Sequence, residues 1–146
     1  MRIGNDGKSS EGAFGFFRAL EISSSGLRAE RTRMDVIASN IANSGRTGKP
    51  GVGPYRRREV RLETVPFDRV LSTVKVSGVT DDPSPFQVVH RPGHPDADRE
   101  GRLELPNVNI AFEMVDMIVA ARAYEANLSA SRTFREMAEH AISVLK

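Results

Sequence analysis

The sequence predicts a mainly α-helical chain with a small β-rich insert, in which long N- and C-terminal helices pair as a coiled coil. Three observations predict this class. Apolar residues recur at helical spacing near both ends, apolar and polar residues alternate over short runs in the middle, and glycine and proline separate these patterns. We therefore divide the chain into four segments. They are a flexible N-terminal tail (1–12), an N-terminal coiled-coil helix (13–44), a central β-rich and loop module (45–106) and a C-terminal coiled-coil helix (107–146).

The N-terminal helix is predicted from an apolar residue at every seventh position. A seven-residue apolar repeat is typical of a coiled coil, because it keeps those side chains facing a partner helix. Asn43 and Gly45 predict the end of this helix, since both tolerate the left-handed conformation that closes many helices. The residues of the predicted contact face are Leu20, Leu27, Met34, Ile37 and Ile41.

Four short strands are predicted in the middle. Val60 and Leu62 alternate with charged neighbours, and the run VLSTVKVSGV repeats that alternation. The segments 86–91 and 101–105 predict two further strands, joined by the turn-rich connection RPGHPDADREG. The central module is thus expected to be a set of short strands with loops between them.

The C-terminal helix is predicted to run to the end of the chain, because neither proline nor glycine follows Pro106. Its length of about 35 residues far exceeds the mean helix of globular proteins. The residues that step by three and four along its predicted contact face are Met114, Met117, Ala121, Tyr124 and Leu128.

Further apolar residues lie outside these two contact faces. The run MVDMIVAA is apolar almost all round, which in a water-soluble helix indicates burial against more than one neighbour. Two helices alone cannot enclose such residues, so we expect other chains to cover them. The residues concerned are Val36, Ile110, Phe112, Val115, Ile118 and Val119.

Composition excludes several classes of protein. The absence of cysteine excludes disulfides and thiolate metal sites, and the formal net charge is only +2. No apolar run is long enough to span a membrane, so direct membrane insertion is not expected. The apolar run AFGFF near the N-terminus is too short for a secretory signal, so any export would use a route without a cleaved signal peptide.

The segment containing His90, His94, Asp96 and Asp98 raises the question of a metal site. The run DADREG imitates the start of a calcium loop, but the position that should carry a bidentate glutamate is Asn107. Prolines between the two histidines prevent them from sharing a helix face. We predict a polar hairpin here, with no metal and no cofactor.

Three consecutive arginines, Arg56 to Arg58, raise the question of nucleic-acid binding. Glu59 and Glu63 dilute the positive charge, and Tyr55 is the sole neighbouring aromatic residue. We therefore predict no nucleic-acid partner, and either an exposed strand edge or a salt-bridged subunit contact at this place. Motifs of serine hydrolases, phosphate loops and zinc proteases are also absent from the sequence, so no catalytic residue is predicted.

Several longer segments point to a family. The runs LRAERTRMDVIASNIANSG, GPYRRREV and DPSPFQVVHRPGHPDADREGRLELPNVNIAFEMVDMIVAARAYEAN resemble the bacterial flagellar basal-body rod proteins, within the rod and hook axial family, and most closely the proximal-rod members of the C type. The resemblance covers the chain from about Ala13 to Lys146. The residues that carry its motifs are Asn40, Asn43, Pro54, Tyr55, Asn107, Asn109 and Asn127.

The resemblance implies a structural subunit of the proximal rod, which polymerises through its terminal helices into the axial drive shaft and performs no catalysis. It implies other rod proteins and the base of the membrane ring and export apparatus as partners, type III export, and a periplasmic location in the basal body. We expect the chain to be ordered mainly in that assembly. The alternative is a cytoplasmic coiled-coil adaptor or export chaperone, which should form a discrete stable dimer.

Asn40 and Asn43 have two interpretations at this stage. Their side-chain amides can bond across subunits or hold the end of the helix as assembly determinants. They can also be ordinary asparagines near a helix terminus, where this residue is common.

Overall fold

The computed structural model describes residues 7–48, 52–66 and 71–144. Along the chain, two long helices at the ends flank two small two-stranded antiparallel sheets in the middle, which confirms the predicted mixture of elements. The elements in chain order are α1 (Gly7–Ala42), β1 (Arg58–Pro66), β2 (Ser72–Asp81), β3 (Gln87–His90), β4 (Arg102–Leu105) and α2 (Ile110–Val144).

Helix α1 begins earlier than predicted. It starts at Gly7 rather than near Ala13, and residues 1–6 of the predicted tail lie outside the described residues. Helix α2 starts at Ile110, close to the predicted boundary, and the side-chain oxygen of Asn109 accepts hydrogen bonds from the backbone N–H groups of Ala111 (3.0 Å) and Phe112 (3.4 Å). These bonds satisfy donors that have no partner within the helix.

The end of α1 differs from the prediction. Among the described residues, positive φ angles occur at Gly93 and Gly101 alone, so the expectation that Asn43 and Gly45 close the helix in the left-handed conformation is wrong. Instead, the backbone N–H and the side-chain amide of Asn43 both donate to the carbonyl of Ser39, at 3.1 and 2.8 Å. The asparagine side chain thus supplies a second donor to a carbonyl of the last helical turn.

The two helices pack against each other in antiparallel directions. Near the far end of the pair, a Cβ atom at Gly26 would lie 2.9 Å from Nδ2 of Asn127, and near the other end Asn40 donates to Glu113 at 3.0 Å. Residue numbers on α2 therefore fall as those on α1 rise. Glycine at position 26 permits the close approach of the two helices at that level.

The apolar core is small for a chain of this length. The buried apolar residues among those described are Ala29, Ile37, Leu103, Val108 and Ala120. More large apolar side chains are exposed than buried, and many of them lie on α2. Neither helix, over its described residues, combines the length and the apolar character needed to cross a membrane.

Strands β1 and β2 form an antiparallel hairpin that packs on α1. The register pairs Arg58 with Asp81 and shifts between Arg61 and Leu62, which marks a β-bulge. The backbone N–H of Val74 donates to the buried hydroxyl of Ser25 at 3.2 Å, which fixes the hairpin to the helix. This packing explains why small residues occupy that side of α1.

Strands β3 and β4 form a second antiparallel hairpin, pairing Gln87 with Leu105 and His90 with Arg102. Leu103 is almost completely buried. The predicted turn-rich connection is confirmed, and Gly101 closes it with φ +76°. A Cβ atom there would lie 2.9 Å from the ring of His90, so both the angle and the space favour glycine.

Candidate functional site

Asn40 lies at the centre of a buried polar cluster. Its amide Nδ2 donates to the backbone carbonyl of Arg58 (2.9 Å) and to Oε2 of Glu113 (3.0 Å). Its Oδ1 accepts from the hydroxyl of Tyr55 (2.9 Å) and the backbone N–H of Arg58 (3.0 Å). Both amide hydrogens are used, and the carbonyl oxygen accepts two bonds, so this 1%-exposed side chain is fully satisfied.

Glu113 is the acidic member of the cluster and is also only 1% exposed. Its Oε1 accepts a hydrogen bond of 2.6 Å from Nε of Arg57, while its Oε2 accepts the bond from Asn40. A buried carboxylate is strongly destabilising without such partners. The first turn of α2 is therefore held to both α1 and the segment before β1. We call Asn40, Tyr55, Arg57, Asn107 and Glu113 the junction.

Arg57 is surrounded by carboxylates. Besides Glu113, its guanidinium contacts Glu59, Asp82 (3.3 Å) and Asp116 (3.9 Å). Burial lowers the pKa of Arg57, but its hydrogen bonds and charge interactions with Glu113 and Glu59 outweigh that effect and raise the pKa above its ordinary value. Arg57 therefore stays charged at every pH at which the chain is folded.

Asn107 completes the junction from the segment before α2. Its Oδ1 accepts the backbone N–H of Arg57 at 2.8 Å, and its amide donates to the carbonyls of Asp82 and Ser84, both at 3.3 Å. One side chain thus connects the chain before β1 with the chain after β2. Pro54, next to Tyr55, is buried.

The remaining two arginines of the triple also have partners within the chain. Arg56 donates to the carbonyls of Asp82 (2.9 Å) and Ser84 (3.0 Å), and its guanidinium lies 4.2 Å from the ring centroid of Phe86. Arg58 lies 5.5 Å from the ring centroid of Tyr55. The contacts of Arg56 and Arg57 within the chain bind the β module together. A subunit contact at this place stays a prediction.

The histidine and aspartate residues of the 90–98 segment form turns. Oδ2 of Asp96 accepts a bond of 2.6 Å from the hydroxyl of Thr47, which ties this hairpin to the loop after α1. The backbone N–H of Asp96 donates to Nδ1 of His94. Asp98 accepts bonds from the backbone and side chain of Arg102, which lower the pKa of its carboxyl. His90 is exposed on β3.

Within residues 7–48, 52–66 and 71–144, no three histidine or acidic side chains are grouped as metal binding would require. A cleft of about 320 Å³ lies between α1, β1 and α2, and Asn40, Arg57 and Glu113 contribute to its wall. Their polar atoms already bond one another. This site is therefore suited to fixing elements in place rather than to chemistry on a substrate.

Most of the predicted subunit-contact residues lie on one face of the helix pair. At 3.6 residues per turn, the α1 residues lie opposite Ser25, which bonds β2, and the α2 residues lie about 80–140° around the helix from Asp116, which pairs with Arg57. All are half-buried in the isolated chain. We call these residues the groove: Leu20, Leu27, Met34 and Ile41 of α1, with Met117, Ala121, Tyr124 and Leu128 of α2.

Two predicted contact residues lie elsewhere. Ile37 is buried between the helices of the chain itself, whereas Met114 is exposed at the rim of the groove. Asn127 donates to the carbonyl of Ala123 at 2.9 Å, on the side of α2 that meets Gly26.

A second set of exposed apolar side chains lies on α2, and two of them, Phe112 and Val115, line a cleft with Arg57, Asp82 and Asp116. The set consists of Phe112, Val115, Ile118 and Val119, which are all exposed. These residues belong to the set for which the sequence predicted cover by other chains. Val36, another member of that set, is half-buried beside the junction.

The sequence pattern does not reveal the acidic half of the junction. Glu113 stands directly before the almost apolar run MVDMIVAA and was assigned no separate role, and neither was Asp82. The one sequence feature that could have indicated it is the spacing of seven residues between Glu113 and the small residue Ala120, which places both on the same face of a helix. A local sequence pattern does not identify Arg57 as the partner of Glu113, because 56 residues separate the two.

Two protein-family models match the chain. The family described as "Flagella basal body rod protein" matches residues 20–47, and the family described as "Flagellar basal body rod FlgEFG protein C-terminal" matches residues 99–144. The first match covers the part of α1 that enters the junction, and the second covers β4 and α2.

Full-length relatives give the same result. The protein named "Flagellar basal-body rod protein FlgC" of Borreliella burgdorferi is 38% identical over 150 aligned positions, covering 90% of this chain and 99% of the relative. Proteins of the same name from Bacillus subtilis (38% identical, covering 89% and 98%) and Agrobacterium fabrum (40% identical, covering 88% and 94%) are similar to it over comparable lengths.

Proposed function

Because the chain belongs to the family of flagellar basal-body rod proteins, we propose that it enters the proximal rod through its two terminal helices. The chain is a structural rod subunit and not an enzyme, as its relatives' names indicate. The alternative of a cytoplasmic adaptor or export chaperone finds no support among these relatives.

The groove is the proposed contact face for neighbouring subunits. Its eight apolar side chains come from both helices and are only half-buried in the isolated chain. Burying them against a helix of another subunit would remove apolar surface from water and extend the pair into a coiled-coil assembly. Head-to-tail contacts of this kind build open helical tubes rather than closed dimers.

Folding is proposed to accompany this assembly. The small core leaves both helices dependent on neighbours for buried area, which has to offset roughly 1–2 kcal/mol of backbone entropy for each residue fixed. We expect fast amide exchange in the dilute chain across residues 20–41 and 114–142. Strong protection of both stretches in the monomer would contradict coupled folding.

The junction has a separate role in this proposal. It lies at the end of the helix pair where β1 and α2 begin, and it joins the β module to both helices through buried, fully bonded side chains. We propose that it fixes the orientation of the β module relative to the helical part of the rod. The groove faces the opposite side of the pair and stays free for contacts.

Partners and location follow from the same proposal. Other rod proteins and the base of the membrane ring and export apparatus are the proposed neighbours, and the rod lies in the periplasm. The type III export machinery is proposed to deliver the chain without a cleaved signal peptide. The lack of cysteine agrees with passage into an oxidising compartment.

The observation that carries this function is the 38–40% identity to rod proteins over nearly their whole length. The test is to purify hook–basal bodies from cells with and without the gene and to probe them with an antibody against the chain. We expect the chain to remain with the basal body during extraction, and its loss to leave the membrane ring without a rod. A soluble chain in cells that still form rods would overturn the proposal.

A further inference from the structure

One backbone edge of β1 is turned away from its partner strand. The N–H and the C=O of Arg58 both bond the side chain of Asn40, so neither points towards β2. Along an antiparallel strand, residues whose N–H and C=O face the partner strand alternate with residues whose N–H and C=O face outward. Val60 therefore presents its N–H and C=O at this outer edge, as Arg58 does.

The second half of β1 follows the same alternation beyond the bulge. Val74 of β2 donates its N–H to Ser25 of α1, so its backbone groups lie on the outer side of the strand pair. Its register partner Thr64 then has its own backbone groups on the outer side of β1, and so has Leu62, two residues earlier. Within the described residues no further strand lies beside β1, so Val60, Leu62 and Thr64 form a row of open backbone groups.

Strand β3 has a matching open edge. The N–H of Arg91 donates to the carbonyl of Gly101, so the backbone of Arg91 faces the β4 side and that of its neighbour His90 faces outward. Val88 and Phe86 face outward by the same alternation, because they lie two and four residues before His90. Among the described residues β4 is the one strand that pairs with β3, so this edge is open as well.

We infer that the outer edge of β1 pairs with the outer edge of β3 in a second copy of this chain, in antiparallel direction. The inference rests on the proposed function and deepens it by naming a contact that the β module makes between subunits. The two edges are different, so the contact is head-to-tail and can be repeated from copy to copy. The opposed residues, with the β1 residue first, are Val60 and His90, Leu62 and Val88, and Thr64 and Phe86.

The ends of the two edges fix this register. The next outward residue of β1 is Arg58, whose backbone groups are already bonded, and it stands opposite Pro92, which has no N–H. At the other end Pro66 also lacks an N–H, and it stands opposite Ser84, whose N–H and C=O are bonded within their own chain. A shift of two residues in either direction would set open groups opposite one of these blocked positions.

The side chains on both faces agree with this register. Leu62 is 40% exposed and Val88 is 57% exposed, and the pairing makes them apolar neighbours across the two strands. On the other face Glu59 stands opposite Arg91 of the second copy, and directly opposed charges of opposite sign stabilise a strand pair. Glu59 contacts Arg57 of its own chain, but its side chain is 55% exposed and accessible to a second arginine.

Both hairpins are placed for such a contact. A cleft of about 320 Å³ lies beside Val60 and Leu62 and separates the edge of β1 from α2, which leaves space for another strand. The β3–β4 hairpin is tied to the loop after α1 through Thr47 and Asp96, and its strands make no close contact with either helix among the described residues. A two-stranded sheet is only marginally stable, so joining the hairpins into four strands would stabilise both.

The absence of native cysteine allows a direct test with the intact chain. Leu62→Cys and Val88→Cys are prepared as two separate proteins, mixed at high concentration and oxidised. Opposed residues of a hydrogen-bonded antiparallel pair have Cα atoms about 5.5 Å apart, which is within the range of a disulfide. The matched control mixes Arg61→Cys with Val88→Cys, because adjacent side chains of a strand point to opposite faces of the sheet.

We expect the mixture to yield a disulfide-linked dimer of twice the 16.0 kDa chain mass, in which position 62 of one protein is joined to position 88 of the other. The control mixture should yield no such product. Dimers of Leu62→Cys alone would show symmetric pairing of two β1 edges, and equal yields from the control would show random collision. Either result, or the absence of a linked product, would overturn the inference.

The double variant Leu62→Cys/Val88→Cys separates failure of this inference from failure of the proposed function. In cells lacking the native gene, it should remain with purified basal bodies and give products at multiples of the chain mass on oxidation. Retention without such products would contradict the strand pairing but not the rod function. Loss of this variant and of the parent chain from basal bodies, with a 62–88 link in the purified mixture, would contradict the rod function but not the pairing.

Discussion

The side-chain amide of Asn40 donates a hydrogen bond of 3.0 Å to the carboxylate of Glu113, across 73 residues of sequence. Both side chains are 1% exposed, and each belongs to a different terminal helix. The bond therefore connects the two helices at the point where the β module leaves them. Asn40, for which the sequence left open an ordinary helix-terminal role and an assembly role, is the centre of a long-range polar contact within the described part of the chain.

Replacing Asn40 by alanine should strongly destabilise the chain. The change leaves the hydroxyl of Tyr55, both backbone polar groups of Arg58 and one oxygen of Glu113 short of a buried partner. We expect a loss of about 3 kcal/mol in the free energy of unfolding. Urea denaturation followed by circular dichroism measures it.

The matched control is Asn43→Ala, which removes one bond to the carbonyl of Ser39 within the same turn. That change should cost about 1 kcal/mol or less. Equal losses for the two variants would mean that the bonds of Asn40 add nothing beyond a local helix-end effect.

Removing the charge of Glu113 should cost far more than removing that of Asp116. Glu113→Gln replaces a buried carboxylate that lies 2.6 Å from Nε of Arg57, and we expect a loss of about 2–3 kcal/mol, moderated by the other acids around this arginine. The side chain of Asp116 is 40% exposed and lies 3.9 Å from Arg57, so Asp116→Asn should cost about 0.5 kcal/mol. Thermal unfolding of both variants tests the contrast, and similar losses would contradict the assignment of Glu113 as the main partner.

The sequence predicted the elements well because each has a local signal. Apolar residues recur with a period of about 3.6 in the helices and of about two in the strands, and these periods locate both helices and all four strands near their observed positions. The start of α1 at Gly7 was missed because polar and glycine residues there weaken the helical pattern. Its end was predicted in the right place for the wrong reason, since the Asn43 side chain and not a left-handed residue completes the last turn.

The junction could not be predicted in the same way. Arg57 and Glu113 are 56 residues apart and come together because the hairpin returns the chain to the helix pair. Pattern analysis detects which face of a helix is apolar, but it does not specify which acid lies opposite which arginine. The half-buried faces of the helices were easier to predict, because they follow from helix periodicity. The heptad residues of α1 are half-buried, as are Met117, Tyr124 and Leu128, whereas Ile37 is buried within the chain.

Acid should weaken the fold partly through Asp82. The hydroxyl and backbone N–H of Ser84, followed by Arg57, hold the pKa of Asp82 below its ordinary value. A carboxyl whose pKa is lower in the folded state stabilises the fold above its unfolded pKa, and that contribution is lost as the pH falls through the folded pKa. We therefore expect the urea midpoint to fall below about pH 4, with a smaller fall in Asp82→Asn.

Asp81→Asn serves as the control for this pH effect, because Asp81 is an exposed neighbour at the end of β2. Its acid dependence should match that of the parent chain. If Asp82→Asn also follows the parent curve between about pH 5 and about pH 3, then Asp82 does not contribute to acid sensitivity.

The contact between Gly26 and Asn127 predicts that Gly26→Ala changes the free energy of unfolding in opposite directions in the parent chain and in the Asn127→Ala variant. Alanine is favoured over glycine in a helix by up to about 1 kcal/mol, but its Cβ would lie 2.9 Å from Nδ2 of Asn127, which is held by the carbonyl of Ala123. Gly26→Ala should therefore destabilise the parent chain by about 1 kcal/mol and stabilise the Asn127→Ala variant by a similar amount. A double-mutant cycle measures this coupling, and an equal effect in both backgrounds would refute the close contact.

If neighbouring subunits bind the groove, an aspartate placed in it should prevent assembly of the rod without preventing synthesis of the chain. Leu128→Asp and Leu27→Asp each place a carboxylate on the half-buried groove surface, where a neighbouring subunit would bury it without a partner. Both variants should be synthesised at the level of the parent chain, because water reaches the added carboxylate in the free chain, yet neither should enter basal bodies. The control is Ser129→Asp, which adds the same charge at the adjacent exposed position of α2. We expect it to swim, and normal swimming by either groove variant would show that subunits do not meet at this face.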